Sequence, residues 1–424
     1  MKCTKKVLKN GLRIVTVPMK ESPAVTVFVM VGAGAKYETK ETNGISHFLE
    51  HMVFKGTPRR PKASDIAREF DGLGAESNAF TGDEYTGYFV KVDAKKLDTA
   101  LDIISDMYLN PLFDKNEIAK EKGVIIEEIR LNRDKPQRVV ADALGKMMYG
   151  DQPAGWTVLG PEENIQSFSQ EHFLEYRKQH YVASSTVVVV AGAIKEKEVQ
   201  KKVERLFASI PTTKKHGKLP VKETQTKPEL VVVHKQTDQT HLIMALRTFS
   251  LFDKRAPAMR VLAAVLGRGM SSRLFSKMRD DLGICYYVYA SQHAWTDHGA
   301  LYIPAGVDTS RVELAITTIL DEVKRLKTEL IPEKELKKAK DYLAGTTMLN
   351  LETSDAQAEY AARQEILKKE IKLPNVFIKE LQKVTAKEIR DLAQKMFIDK
   401  NLNLAIIGPY KDEGRFKRLL TLGK

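Results

Sequence analysis

Val187-Val188-Val189-Val190-Ala191-Gly192 is an apolar run that ends in glycine and leads into a charged helical segment reaching Leu206. About 215 residues later, Leu402-Asn403-Leu404-Ala405-Ile406-Ile407-Gly408 does the same, and its charged segment reaches Leu420. Both runs have strand length, and the first is rich in β-branched residues. The same strand-to-helix ending at a fixed offset reads as a duplicated domain. Between the copies, residues 209–228 carry Pro211, His216, Gly217 and Pro220 among Thr and Lys, the composition of a linker. The expected organisation is a first domain over 1–212, a linker over 213–228 and a second domain over 229–424. Strands with turn residues come first in each half and helical segments follow, over 97–109, 115–132 and 169–180 in the first. That order predicts an α+β fold of two homologous modules, each a mostly antiparallel sheet packed against helices.

Upstream in the first half stands Gly44-Ile45-Ser46-His47-Phe48-Leu49-Glu50-His51-Met52-Val53-Phe54. On a helix, positions four apart lie one above the other, so the imidazoles of His47 and His51 can reach one tetrahedral ion from the same face. Glu50 falls beside that pair, where a carboxylate can touch a water in the open position of the metal without taking a ligand site. A general base needs that placement. Ile45, Phe48, Leu49, Met52 and Val53 make the segment largely buried, so its imidazoles and carboxylate would be costly without an ion or partner. The pattern points to metal-assisted hydrolysis, and zinc is preferred over other divalent metals on ligand type.

A hydrolytic zinc has three protein ligands, so a third must come from elsewhere. Asp114 followed by Glu117 gives a helix start of the capping-box kind, and the helix runs on toward Pro136. Glu121 and Glu128 share one face of it, flanked by Val124, Ile125, Ile129 and Leu131, while Glu127 points away. Glu128 is the expected third ligand. Glu121, one helical layer back, is the expected carboxylate that orients a ligating imidazole.

The inverted histidine motif followed by the spaced glutamates Glu121 and Glu128 resembles the inverzincin family, which includes pitrilysin, insulysin and the mitochondrial processing peptidases. The segment Gly74–Tyr88 is similar to the family's Asn-Ala-x-Thr strand. The resemblance implies that Asn78, Ala79, Phe80 and Thr81 hold an extended peptide by strand addition. Gly269-Met270-Ser271-Ser272-Arg273-Leu274-Phe275 and the following Arg279–Tyr286 stretch resemble the C-terminal signature, which implies that Arg279 and Tyr286 donate hydrogen bonds to the substrate carbonyl or oxyanion. Read without the family, Arg279 beside Asp280 and Asp281 is a surface ion pair, and Tyr286, Tyr287 and Tyr289 form a strand face. Also implied are two related modules closing like a clam around the peptide, one Zn2+ per chain, short or unfolded peptides as substrates in an enclosed chamber, and a homodimer or a heterodimer with a related chain. Shifted by the repeat offset, the histidine motif lands on Leu262, Val265 and Leu266, so the second half reads as a copy without metal.

Composition fits these expectations. The 424 residues include 43% hydrophobic ones, ordinary for a globular protein. The net charge of +13 comes from lysines that alternate with acids at helical spacing, with no aromatic-interleaved basic stripe, so nucleic-acid binding is not expected. No run has the length of a membrane span, and the N-terminus breaks into an Asn10-Gly11 hairpin rather than a signal-peptide core, so a cytoplasmic protein is expected. Cys3 and Cys285 cannot form a disulfide framework. Two rivals stay open: a non-catalytic structural homologue, and a catalytic chain that is silent without a zinc-free partner.

Overall fold

The computed structural model describes residues 1–423, which divide into two compact units, each with its own six-stranded sheet. In the first, β1 (Thr4–Val7), β2 (Arg13–Pro18), β3 (Ala24–Val31), β4 (Glu76–Thr81), β5 (Thr86–Asp93) and β6 (Thr186–Gly192) lie in the order β1-β2-β6-β3-β5-β4. All neighbours are antiparallel except β2 and β6. The valine run is β6, and every residue of it is buried because both faces of the sheet are covered. Val188 and Val190 enter a core with Phe48, Leu49, Met52, Ile104 and Phe173, from helices on one face. Val187, Val189 and Ala191 enter a second core on the other face, as the two-residue period of a strand requires.

In the second unit, β7 (Glu229–His234), β8 (Gln239–Arg247), β9 (Cys285–Val288), β10 (Ser291–Ala294), β11 (Gly299–Asp308) and β12 (Leu402–Gly408) form the order β10-β11-β8-β12-β7, with β9 also on β11. Here the single parallel pair is β12 with β7. The sequence β7-β12-β8-β11 thus repeats β2-β6-β3-β5, with the last strand of each module inserted between β2 and β3 or between β7 and β8. The duplication extends to topology, and the fold is α+β with mostly antiparallel sheets.

The units are not the two sequential segments. The first takes Met348–Leu373 from the second half of the chain, and the second takes Leu131–Gly155 from the first half. In the first unit, helix Ser354–Lys368 lays Ala358, Ala361 and Ala362 on Val15, Val17, Phe28, Met30, Val187 and Val189. Helix Pro136–Tyr149 lays Val140, Leu144, Met148 and Tyr149 on Ile243, Ala245, Ala405 and Ile407 in the second unit. A sheet apolar on both faces needs a helix on each, and the far-face helix comes from the opposite half of the sequence. The chain passes between the units five times, and the crossing between Leu219 and Pro220 is one of them.

Candidate metal centre

Helix Ile45–Val53 carries the histidine motif and buries Phe48, Leu49 and Met52, so its register is fixed by the core. Helix Lys115–Asp134 is longer than expected at its C-terminal end and buries Ile118, Glu121, Ile125, Ile126 and Ile129. Val124 and Leu131, expected to flank that buried face, are 52% and 54% exposed. Their positions carry them past the edge of the stripe, so the apolar surround of Glu128 is narrower than the sequence suggested.

The two helices bring His47, His51 and Glu128 together. His47 Nε2 and His51 Nε2 lie 3.3 Å apart, and Glu128 Oε2 lies 3.6 Å from the first and 3.7 Å from the second. Ligands bound tetrahedrally at about 2.0–2.1 Å are separated by about 3.3–3.4 Å, so the triangle fits a zinc ion. Glu127 is exposed and pairs with Arg130 instead, Oε1 to Nη1 2.6 Å.

At His47, burial favours the lone pair over the proton. Burial, followed by the neighbouring His51, pushes the His47 imidazole down to about 3 and keeps it neutral. His51 Nδ1 donates to Glu121 Oε1 at 2.8 Å, which turns Nε2 toward His47. Burial works against the charge of Glu121, but hydrogen bonds from His51 and Lys55 outweigh it and hold the carboxyl below its ordinary value. Lys55 Nζ reaches Glu121 Oε2 at 2.6 Å. The two ring nitrogens Nε2 face each other at 3.3 Å with the Glu128 carboxylate beside them, the donor set of a cation site.

Glu50 stands beside the triangle, close enough for the charges of His51 and Glu128 to act on it. Burial raises its carboxyl, and the Thr81 hydroxyl, donating to Oε2 at 2.6 Å, pulls the other way. Thr81 ends β4, which lies at the edge of its sheet. The Ala79 N–H is directed away from β5 and donates to the Asn78 side-chain oxygen at 2.8 Å. Phe80 packs its ring against Phe28 and Tyr85, so its side chain serves the far-face core.

Arg279 and Tyr286, in the second unit, meet locally. The guanidinium lies 5.4 Å over the Tyr286 ring and donates through Nη1 to the carbonyls of Cys285 (3.2 Å) and Tyr286 (2.5 Å). Asp281 pairs with Lys277 rather than Arg279, at 3.2 Å, and Tyr286 is 71% exposed.

Sequence reasoning missed Glu38, Lys55 and the hydroxyl role of Thr81. Lys55 follows His51 by one helical turn, a spacing that could have been read. Glu38 accepts hydrogen bonds at the start of the motif helix, and burial lifts its carboxyl to about 7 against the pull of its donors. Among the described residues, His47, His51 and Glu128 are the one cluster of three or more His, Cys, Asp or Glu side chains with metal-binding spacing, and no helix is long and apolar enough to cross a membrane.

Comparison with known proteins agrees with this picture. Residues 13–162 match the family described as insulinase, peptidase family M16, and residues 167–343 match the M16 inactive domain. A Bacillus subtilis (strain 168) protein named uncharacterized zinc protease YmxG is 36% identical over 401 residues, covering 95% of this chain and 97% of its own. A Rickettsia felis protein named uncharacterized zinc protease is 34% identical, with 95% and 96% covered. The crystal structure of a Helicobacter pylori protease shares the fold with a TM-score of 0.90 at 23% identity, covering 96% of this chain and all of that one. By the near-complete coverage of these relatives, this chain belongs to the insulinase-type peptidase family M16.

Proposed function

We propose that the chain is a zinc-dependent endopeptidase that hydrolyses short or unfolded peptides held as an added strand along Asn78–Thr81. His47, His51 and Glu128 would hold the ion. The observation that carries the reading is their triangle of 3.3, 3.6 and 3.7 Å with Glu50 beside it. Bound zinc would supply Lewis-acid chemistry, lowering the pKa of water and polarising the peptide carbonyl.

The residues divide the remaining work. Glu50 takes the proton of the attacking water and later delivers it to the nitrogen of the leaving amine. The raised carboxyl suits that shuttle, because a base that must also act as an acid works best near the ambient pH. The outer edge of β4 would pair with peptide main chain, and the Asn78 oxygen holds the Ala79 N–H until a peptide carbonyl replaces it. Main-chain pairing needs a substrate whose own backbone groups are unpaired, which favours short or unfolded peptides. Thr81 links this strand to the base. Arg279 and Tyr286 are assigned as donors to the peptide carbonyl as its oxygen gains charge, a role supported by their exposure and their mutual stacking.

The test is metal content of the purified chain together with cleavage of an unstructured peptide and a folded protein over a range of protein concentrations. One zinc per chain with cleavage of the peptide alone is expected. A chain that holds no zinc and gains no activity when zinc is added would sink the proposal. Turnover that rises steeply with protein concentration, or only on adding a related chain, would indicate that two chains are needed.

A further inference from the structure

The two histidines of the triangle are held in different ways. His51 is oriented through its ring by Glu121. The Nδ1 atom of His47 is buried and has no hydrogen-bond partner, so no bond through that nitrogen aims the ring, and its placement depends on packing and on the main chain that carries it. His47 is also the third residue of its helix, in the first turn, where N–H groups lack helical partners and fraying begins.

A side chain from upstream meets those groups. Glu38 is 3% exposed. Its Oε2 accepts from the Gly44 N–H and the Asn43 Nδ2, both at 2.9 Å, and its Oε1 accepts from the Ser46 N–H at 2.8 Å. An ordinary capping side chain cannot stand at the N-cap itself. Gly44 there has φ +102°, and a Cβ would come within 2.6 Å of the Leu159 carbonyl oxygen. The carboxylate therefore arrives from six positions earlier in the chain. Asn43 Nδ2 extends the tether to the Thr157 carbonyl at 2.9 Å, and the Ser46 hydroxyl bonds the Tyr176 hydroxyl at 2.6 Å.

We infer that Glu38 is a positioning residue of the metal centre, doing for His47 through the main chain what Glu121 does for His51 through the ring. A buried carboxyl that accepts main-chain N–H groups on both of its oxygens makes such a pin. The inference rests on the proposed reading of His47 as a ligand, and its test separates the two.

Zinc affinity is measured on the full-length chain by competition with a chromogenic chelator, for wild type, Glu38→Gln and Glu121→Gln. Glu38→Gln keeps the size but turns one oxygen into an NH2 group facing donors. Its zinc affinity should fall about 10–100-fold, as for loss of a residue that orients a ligand. The far-UV circular dichroism should be that of wild type, and kcat should recover at saturating zinc, a recovery that general damage to the fold would not give. Wild-type affinity in Glu38→Gln overturns this inference alone. A wild-type chain that binds no zinc overturns the metal reading and this inference with it. If Glu38→Gln does not fold, Asn43→Ala takes its place. A loss of about tenfold, the lower end of the range for orienting residues, supports the inference, and unchanged affinity overturns it.

Discussion

The helix Ile45–Val53 follows β3 in the first unit, and the helix Ala256–Gly267 follows β8 in the second, at corresponding points of a repeated strand order. Where the first carries His47, Glu50 and His51, the second carries Leu262, Val265 and Leu266, which are 0%, 1% and 0% exposed. One scaffold accepts both solutions, but the polar one works against folding: burial drives His47 toward neutrality and raises Glu50. It also needs support that the apolar one lacks. The first helix is pinned by Glu38 on two main-chain N–H groups and flanked by Glu121, Lys55 and Thr81, whereas at the start of the second the Asp253 side chain accepts from a single main-chain N–H, that of Arg255. The strand edges differ in parallel. β4 runs unbroken over six residues, but the strands on the same side of β11 are split into β9 and β10 around Tyr289 and Ala290. The proposed ligands, their supports and an open strand edge occur together in one unit, as a site requires and a packing element does not.

The comparison breaks most sharply at the base. Glu50→Gln preserves shape and leaves the ligand triangle intact, so zinc content should stay at the wild-type level while kcat falls about 10²–10⁴-fold. Peptide cleavage and metal analysis on one preparation check this, and unchanged turnover would remove Glu50 from the mechanism.

The outer faces give the next contrast. The exchanged helix on the first sheet is fixed by Glu365, 1% exposed, which faces Lys5 Nζ at 3.1 Å and Arg13 Nη1 at 3.7 Å. On the second sheet the corresponding helix is held without a buried carboxylate, by Arg247 donating to the Met148 carbonyl and lying 5.1 Å over Tyr149. Glu365→Ala leaves Arg13 buried without its counter-charge and should cost about 3 kcal/mol or more in urea unfolding. A cost below about 1 kcal/mol, the range of exposed pairs, would mean that alanine packing alone seats the helix.

That exchange was the part of the fold the sequence hid. The runs at Val187–Gly192 and Leu402–Gly408 could be read because a fully buried strand is apolar along its whole length. Alternating polarity on a helix such as Ser354–Lys368 tells which side is apolar but carries no address for the sheet it will cover. Ala358, Ala361 and Ala362 would suit either. At the site, His47, His51, Glu50 and Glu128 were legible because helical spacing is a local rule and the residue types are chemically distinctive. Glu38 was not, since it lies in the 3₁₀ turn region before the motif helix, where no periodicity applies, and its partners are main-chain groups. Val124 and Leu131 misled for a related reason: apolar residues at the border of a stripe read as buried until the neighbouring element is known.

Transplanting polarity into the second helix sharpens the comparison further. Leu262 packs in a core with Met244, Leu246 and Val265, so Leu262→His would bury an imidazole with no acceptor or ion. A loss of about 2 kcal/mol is expected, the usual penalty for an unsatisfied buried polar group. Equilibrium unfolding measures it, and a neutral outcome would mean that the second unit tolerates buried polarity as readily as the first.

The reverse exchange should have the smallest effect and the opposite sign. His47 is 8% exposed, its Nδ1 has no partner, and its Nε2 lies 3.3 Å from His51 Nε2. His47→Leu restores the residue type found at the matching position of the second helix and is close to it in volume, so it creates no large cavity. It also leaves His51 bonded to Glu121 and leaves Glu128 its 37% side-chain exposure to water. Removing an unsatisfied buried group without loss of packing should raise the stability of the zinc-free chain by about 1 kcal/mol. The order should invert when zinc is present, because an ion bound only by the folded wild type adds about 3–4 kcal/mol at concentrations 100–1,000 times its dissociation constant. Unfolding curves of both proteins with chelator and with zinc therefore have to cross. Were His47→Leu less stable than wild type under both conditions, His47 would be part of the packing and not a ligand held in place at a cost to the fold.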